Sequence, residues 1–126
     1  MNNFQIPPLA EGEVYVGAIG DKNGDFYHVI LLPGDNDDAN WQSQMAWAKS
    51  IGGDLPNRIE QAMLWAAHRD QFQQYAYWSN EQDDDPEYAG WAWYQRFNNG
   101  IQYNYHQDSE LRARAVRRIK IGGSND

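Results

Sequence analysis

Two runs of carboxylates are the first candidates for chemistry in this 126-residue chain: Asp35-Asn36-Asp37-Asp38 and Asp83-Asp84-Asp85-Pro86-Glu87. Clustered carboxylates are hard oxygen donors, and calcium is the cation they would hold. Neither run follows the EF-hand pattern, since Asp35 to Asn40 has no mid-loop glycine and no later bidentate glutamate. Solvated acidic loops are the simpler reading, so no metal is expected. His28, His68 and His106 fall on three separate segments without His-x-x-x-His or His-x-Asp spacing. The chain has no cysteine, which excludes a thiolate nucleophile, a thiolate zinc site, an iron–sulfur cluster and a disulfide framework. It also fits a reducing compartment. Ser43, Ser50, Ser79, Ser109 and Ser124 lie in no Gly-x-Ser-x-Gly context, and no Gly-rich phosphate loop occurs. The expectation is a non-enzymatic protein without a cofactor.

Recognition is the chemistry the residues do suggest. Between Tyr94 and Ser109 stand Tyr94, Arg96, Asn98, Asn99, Gln102, Tyr103, Asn104, Tyr105 and His106. Tyrosine offers a large, stiff contact area for two side-chain torsions, and amides add adaptable hydrogen bonds. This segment is the candidate binding face for a protein or a surface glycan. Asp83, Asp84 and Asp85 in the preceding acidic loop are candidate additional contacts.

Charge limits the partners. The net charge is −8, and the first 110 residues hold 17 acidic against 5 basic groups, a net of −12. The last 16 hold 1 acidic and 5 basic groups, a net of +4. An acidic chain is a poor binder of phosphate backbones, so no direct nucleic-acid contact is expected. The basic tail reads instead as a strand lying among acidic neighbours. The longest apolar run, Val29 to Leu32, is far too short to span a membrane. Met1 to Ala10 shows no basic segment followed by an apolar core, hence no secretory signal. A cytoplasmic or virion-associated location follows as an expectation. The length fits one domain over residues 1–126, with an N-terminal extension at 1–12 and a flexible tail at 122–126. Oligomeric state stays open.

The elements that would position these residues follow from periodicity. Glu13 to Gly20 reads as a strand, with Val14, Val16 and Ala18 alternating against Tyr15, Gly17 and Ile19. Asn23-Gly24 makes a hairpin turn, and Phe26 to Leu32 returns until Pro33-Gly34 stops it. Gly34 to Asn40 reads as an acidic turn-rich loop. Trp41 to Ile51 has helical spacing through Trp41, Met45 and Ala48, capped by Asp38 or Asn40 and stopped by Gly52-Gly53. A second helix starts after Asn57, where Glu60 completes a capping box, and ends near Asp70. Its apolar stripe is Ile59, Ala62, Met63 and Ala66. The period then changes to two. Tyr77 to Ser79 is a short strand and Asn80 to Tyr88 an acidic loop. In the strand Ala89 to Phe97, Trp91, Trp93, Gln95 and Phe97 oppose Ala92, Tyr94 and Arg96. Asn98-Asn99-Gly100 turns into Ile101 to His106. Leu111 to Ile121 closes the chain with a slip of phase, which a bulge near Ala115 or Val116 would reconcile. A strand pair, two helices and an antiparallel meander make an α+β chain.

Four segments in this order resemble one group of C-type-lectin-like domains. Residues 52–60, Gly-Gly-Asp-Leu-Pro-Asn-Arg-Ile-Glu, are similar to its "G-G-x-L-P-T-R-x-E" segment, with Asn57 in place of threonine, another capping residue. Tyr77-Trp78-Ser79-Asn80-Glu81 resembles "Y-W-S-S-E", and residues 92–100 resemble "A-W-Y-x-x-F-x-x-G". Residues 112–118 resemble the closing "x-x-R-x-V-R-x" strand. The resemblance covers about residues 26–119, and points to the domain of unknown function at the C-terminus of Lcl-type collagen-like adhesins and to stand-alone bacterial and phage relatives. It implies two helices packed on a twisted antiparallel sheet, terminal strands close together, and Trp78, Trp93 and Trp91 filling the space between helices and sheet. It also implies a binding face on the last part of the sheet, where retroelement-diversified members are rich in Asn, Tyr, His, Ser and Asp. Formylglycine-generating enzymes of similar fold need cysteine for copper, and related iron-dependent enzymes need a histidine cluster. The Glu-Pro-Asn, Gln-Pro-Asp and Trp-Asn-Asp triplets of calcium-dependent sugar binding do not occur. The alternatives to a recognition module are an acidic phage inhibitor of a host defence or nucleic-acid-binding protein, a virion tail or capsid decoration component, and an enzyme of the metal-dependent branch.

Overall fold

The computed structural model describes residues 5–122. Residues 1–4 of the expected N-terminal extension and residues 123–126 of the expected tail lie outside the described residues. Strand β1 (Val14–Gly20) turns through Asp21 to Asp25 into β2 (Phe26–Leu31). A short strand β3 (Asn36–Ala39) leads to helix α1 (Trp41–Ser50) and then helix α2 (Arg58–His68). Strand β4 (Ala76–Gln82), β5 (Trp91–Arg96), β6 (Gln102–His106), β7 (Leu111–Ala113) and β8 (Val116–Ile121) follow. The class is α+β, with two helices packed on sheet.

Both helix starts follow from local hydrogen bonding. Asn40 caps α1 by accepting from Ser43 N at 2.8 Å. Asn57 and Glu60 form the reciprocal capping box, each side chain bonding the other's backbone N–H at 2.8 Å. The end of α1 explains the glycine pair. Gly52 has φ +86°, and a Cβ on Gly53 would lie 2.6 Å from Leu32 Cδ1 and Val116 O, so the loop can press against β8. Beside it, Asp54 and Val116 exchange backbone hydrogen bonds of 2.9 and 2.8 Å.

The strands form two sheets, ordered β1-β2-β8 and β3-β7-β4-β5-β6. This corrects the expectation of one antiparallel meander. β7 does not pair with β6; it lies between β3 and β4 and runs parallel to β4. The last strand is accordingly two strands. The phase slip at Ala115 is a change of sheet rather than a bulge, because β7 joins the larger sheet and β8 pairs with β2. The acidic stretch after Gly34 is also partly a strand, with Asp37 and Asp38 exposed on the sheet edge. In β1 a register shift between Tyr15 and Gly17 breaks the simple alternation, so that Val16 and Ile19 are buried and Ala18 is exposed.

Two apolar clusters fill the molecule. Trp41, Ala48, Leu55, Trp78, Ala92 and Tyr94 belong to one; Val16, Leu31, Leu64, Tyr77 and Phe97 to the other. Tyr77 and Trp78 are adjacent on β4, so its two faces feed the two clusters. Each fully buried side chain of this size stabilises by about 1.5–3 kcal/mol. The buried indoles also find acceptors, Trp41 on Ser79 O and Trp78 on Ala39 O. Helix α2 corrects its expected stripe. Ile59 is 62 % exposed and Ala62 and Ala66 are exposed, while Leu64, Glu60 and Gln61 face inward. Of the polar pair, Glu60 bonds Arg118 and Gln61 Nε2 donates to Tyr77 O, while Gln61 Oε1 is buried without a partner. Of the three expected core tryptophans, only Trp78 is fully buried; Trp91 and Trp93 are half-buried.

Candidate recognition surface

The β5–β6 hairpin carries the residues singled out for binding and divides them between two faces. Tyr94 pairs with Tyr103 and Ala92 with Tyr105, so these four share a face; Trp93 pairs with Asn104 and Gln95 with Gln102 on the other. On the first face an open pocket of about 360 Å³ is lined by Tyr88, Trp91, Tyr94, Arg96, Tyr103, Asn104 and Tyr105. Its wall is a run of ring contacts reaching from the core to solvent. Trp78 meets Tyr94 edge-on at 6.4 Å, Tyr94 meets Tyr105 at 6.3 Å, Tyr105 meets Trp91 at 6.5 Å, and Trp91 meets Tyr88 at 5.1 Å. Such contacts hold exposed rings in place without apolar enclosure. Tyr103 is 59 % and Tyr105 47 % exposed.

Tyr94 differs from the other two candidate tyrosines. It is 7 % exposed and belongs to the core, lending only its rim to the pocket. Arg96 lies over it, Nη2 3.5 Å from the phenol oxygen. No carboxylate lies within ion-pair distance of Arg96 among the described residues. His106 packs on Trp91 with ring centres 4.2 Å apart. Asn98 and Asn99 are exposed in the turn, where Asn99 Oδ1 accepts from Ile101 N.

By strand alternation Gln102 and Asn104 belong to the opposite face and are engaged internally, although Asn104 also lines the first pocket. Gln102 bonds Arg58 and Gln95, and Asn104 Nδ2 donates to Asp83 Oδ2 at 2.6 Å. Asp83 and Asp85 organise their own loop, accepting from Asp85 N and Glu87 N, while Asp84 and Asp85 are exposed. A second groove of about 540 Å³ opens on this side, lined by Arg58, Ile59, Ala62, Trp65, Glu81, Gln95, Gly100 and Gln102. Arg58 stacks 3.7 Å over Trp93 there. Sequence reading missed this groove because Ile59 and Ala62 looked like core positions. Tyr88 and Trp91 were missed as pocket residues; a tyrosine beside Pro86 in an acidic loop was the available signal for Tyr88.

Three arginines of the basic tail pair with carboxylates of the same molecule. Arg112 bonds Asp35 and Asp37, Arg117 bonds Glu13, and Arg118 bonds Glu60 and Asp54. Burial alone would lower the Arg118 pKa, but hydrogen bonds and charge from Glu60 and Asp54 hold it above the usual arginine value. Arg114 is buried without an acid, donating to Leu32 O and Gln71 O, and burial lowers its pKa. Tyr77, which donates to Asp35, is pushed up to about 12 by burial and by that carboxylate. Asp54, Glu60 and Arg118 thus join each other, apart from both grooves.

No protein-family model and no curated protein matches the chain. Among the described residues no group of three or more His, Asp or Glu side chains is arranged to hold a metal ion. No helix there is long and apolar enough to cross a membrane.

Proposed function

We propose that this protein is a non-enzymatic recognition module with a C-type-lectin-like fold, of the small phage or prophage kind, that binds a protein or surface glycan through the tyrosine-rich face of β5 and β6. The observation that carries this reading is the pocket of Tyr88, Trp91, Arg96, Tyr103 and Tyr105. Tyr105 is held there by the rings of Tyr94 and Trp91, beside an arginine without a carboxylate partner among the described residues. Aromatic and arginine side chains in such settings supply most of the energy of many interfaces. Asn98 and Asn99 are exposed at the tip of the same hairpin.

The test is capture of host proteins and binding to a glycan array, compared between wild type and Arg96→Ala/Tyr103→Ala/Tyr105→Ala. Loss of a wild-type signal in the folded variant supports the reading; an unchanged signal refutes it.

A second reading is favoured by the acidic loop. Arg112, Arg117 and Arg118 of the tail are spent on internal pairs, whereas Asp84, Asp85 and Glu87 stand exposed together beside Tyr88. A carboxylate-dense surface competes with phosphates for a basic groove, as an inhibitor of a nucleic-acid-binding host protein would. Steep salt dependence of partner binding, lost in Asp84→Asn/Asp85→Asn, would select it over the aromatic face.

A further inference from the structure

Among the described residues the two sheets leave four strand edges, and three of them are guarded. β1 carries a register shift, β3 holds Asp37 and Asp38, and β8 holds Arg117, Arg118 and Lys120. These are the devices by which proteins keep an edge from pairing with another chain. β6 has none of them. Its five residues, Gln-Tyr-Asn-Tyr-His, include no Asp, Glu, Lys, Arg or Pro, and all five pair with β5 in unbroken register.

The direction of its free backbone groups follows from the ladder. Arg96 N donates to Ile101 O and Gln107 N to Gly90 O, so Ile101, Tyr103, Tyr105 and Gln107 turn their backbone groups toward β5. Gln102, Asn104 and His106 therefore turn theirs outward. Among the described residues the backbone of Gln102 and Asn104 and the His106 N–H bond no other group, while His106 O accepts from Ser109 N.

We infer that β6 is the seam of a homodimer, in which two copies pair antiparallel about a two-fold axis at Asn104 and join their five-stranded sheets into one. The second copy fits this edge better than an unrelated strand for three reasons. First, that register sets Asn104 against Asn104 and Gln102 against His106 of the second copy, giving about four backbone hydrogen bonds from outward groups other than the His106 O that Ser109 N already holds. Second, it sets Tyr103 against Tyr105 of the second copy twice, at non-hydrogen-bonded positions where cross-strand rings approach closely. Third, the charges complement. Arg96 lies at the Gln102 end of β6, and the acidic loop lies at the His106 end, where Asp83 N bonds Trp91 O. Antiparallel pairing brings each Arg96 end toward the acidic end of the other copy. An isologous contact of this kind closes and does not propagate.

Sedimentation equilibrium tests the inference, with Asn104→Pro and Tyr105→Lys as edge variants. Proline at 104 removes an outward donor and none that β5 uses, a position edge strands tolerate; lysine at 105 places a charge on the seam. Wild type is expected to dimerise at micromolar concentration and both variants to remain monomers with wild-type circular dichroism. The chain's lack of cysteine gives a second measurement. In Asn104→Cys the paired Cα atoms would lie about 5.5 Å apart, within disulfide reach, so mild oxidation should cross-link it much faster than Ala66→Cys on the exposed side of α2. A wild type still monomeric at about 100 µM, far above a micromolar Kd, overturns the inference and leaves the edge to a strand from another protein. A dimer that survives both edge variants, or equal cross-linking at 104 and 66, overturns it as well.

Discussion

Arg118 on β8 grips Glu60 in the first turn of α2 through two hydrogen bonds of 2.7 Å, and Glu60 is completely buried. A third bond of 2.9 Å takes Arg118 to Asp54, and Asn57 N donates to the same Glu60 carboxylate. One guanidinium thus ties the last strand to the loop and helix start that carry the Gly-Gly-Asp-Leu-Pro-Asn-Arg-Ile-Glu segment. Removing one partner of a buried pair leaves the other uncompensated, which costs about 3–5 kcal/mol. Arg118 keeps a quarter of its side chain exposed, which places Glu60→Gln near the lower figure. Urea unfolding should show a loss of about 3 kcal/mol; a loss below about 1 kcal/mol would contradict the clasp.

Tyr94 and Tyr105 touch, yet their substitutions should separate. Tyr94→Ala opens the core beside Trp78 and should cost about 3 kcal/mol or more. Tyr105→Ala, at an exposed position, should change stability by about 0.5 kcal/mol or less. Equal losses in thermal unfolding would mean that Tyr105 belongs to the core.

Acid should act on the Glu13–Arg117 pair. The Arg117 hydrogen bonds, with the Ala10 N–H, hold the Glu13 carboxyl below its ordinary value. A depressed carboxylate stabilises the fold fully above its unfolded pKa, about 4.3, and loses that contribution as pH falls through the folded value. Wild type should therefore unfold at a higher temperature than Glu13→Gln at pH 7, with the gap narrowing below about pH 4. A gap that persists unchanged to pH 2 would show that the charge is not its source.

Gly100 closes the hairpin with φ +83°, and a Cβ there would sit 2.5 Å from Trp65 Nε1. Gly100→Ala should destabilise by about 1–3 kcal/mol through strain and displacement of the indole. It should also change tryptophan fluorescence; a neutral substitution would show that the turn has room.

The local elements were legible where signals are local. Asn57 and Glu60 gave the start of α2, and Asn98-Asn99-Gly100 the last hairpin, because caps and turns depend on neighbours in sequence. The sheet assignment was not legible, because the choice of β7 to pair with β3 and β4 rather than β6 is made by distant partners. Burial on α2 was misread for a related reason. Glu60 and Gln61 look exposed until Arg118 and Tyr77 O, 58 and 16 residues away, supply their bonds. Of the three tyrosines named as a candidate binding face, Tyr103 and Tyr105 are exposed and Tyr94 is core. Strand alternation places all three on one side but does not tell where the core beneath that side ends.

The most direct test of the recognition face is quantitative binding with Arg96→Ala/Tyr103→Ala/Tyr105→Ala. Host-protein capture and glycan-array signals would be measured for wild type and for this variant, after matched unfolding temperatures establish that both are folded. The reading predicts a wild-type signal that falls at least about tenfold, the effect of losing about 1.4 kcal/mol at one interface. A variant that binds as wild type does, or a wild type that binds neither class of partner, would contradict it.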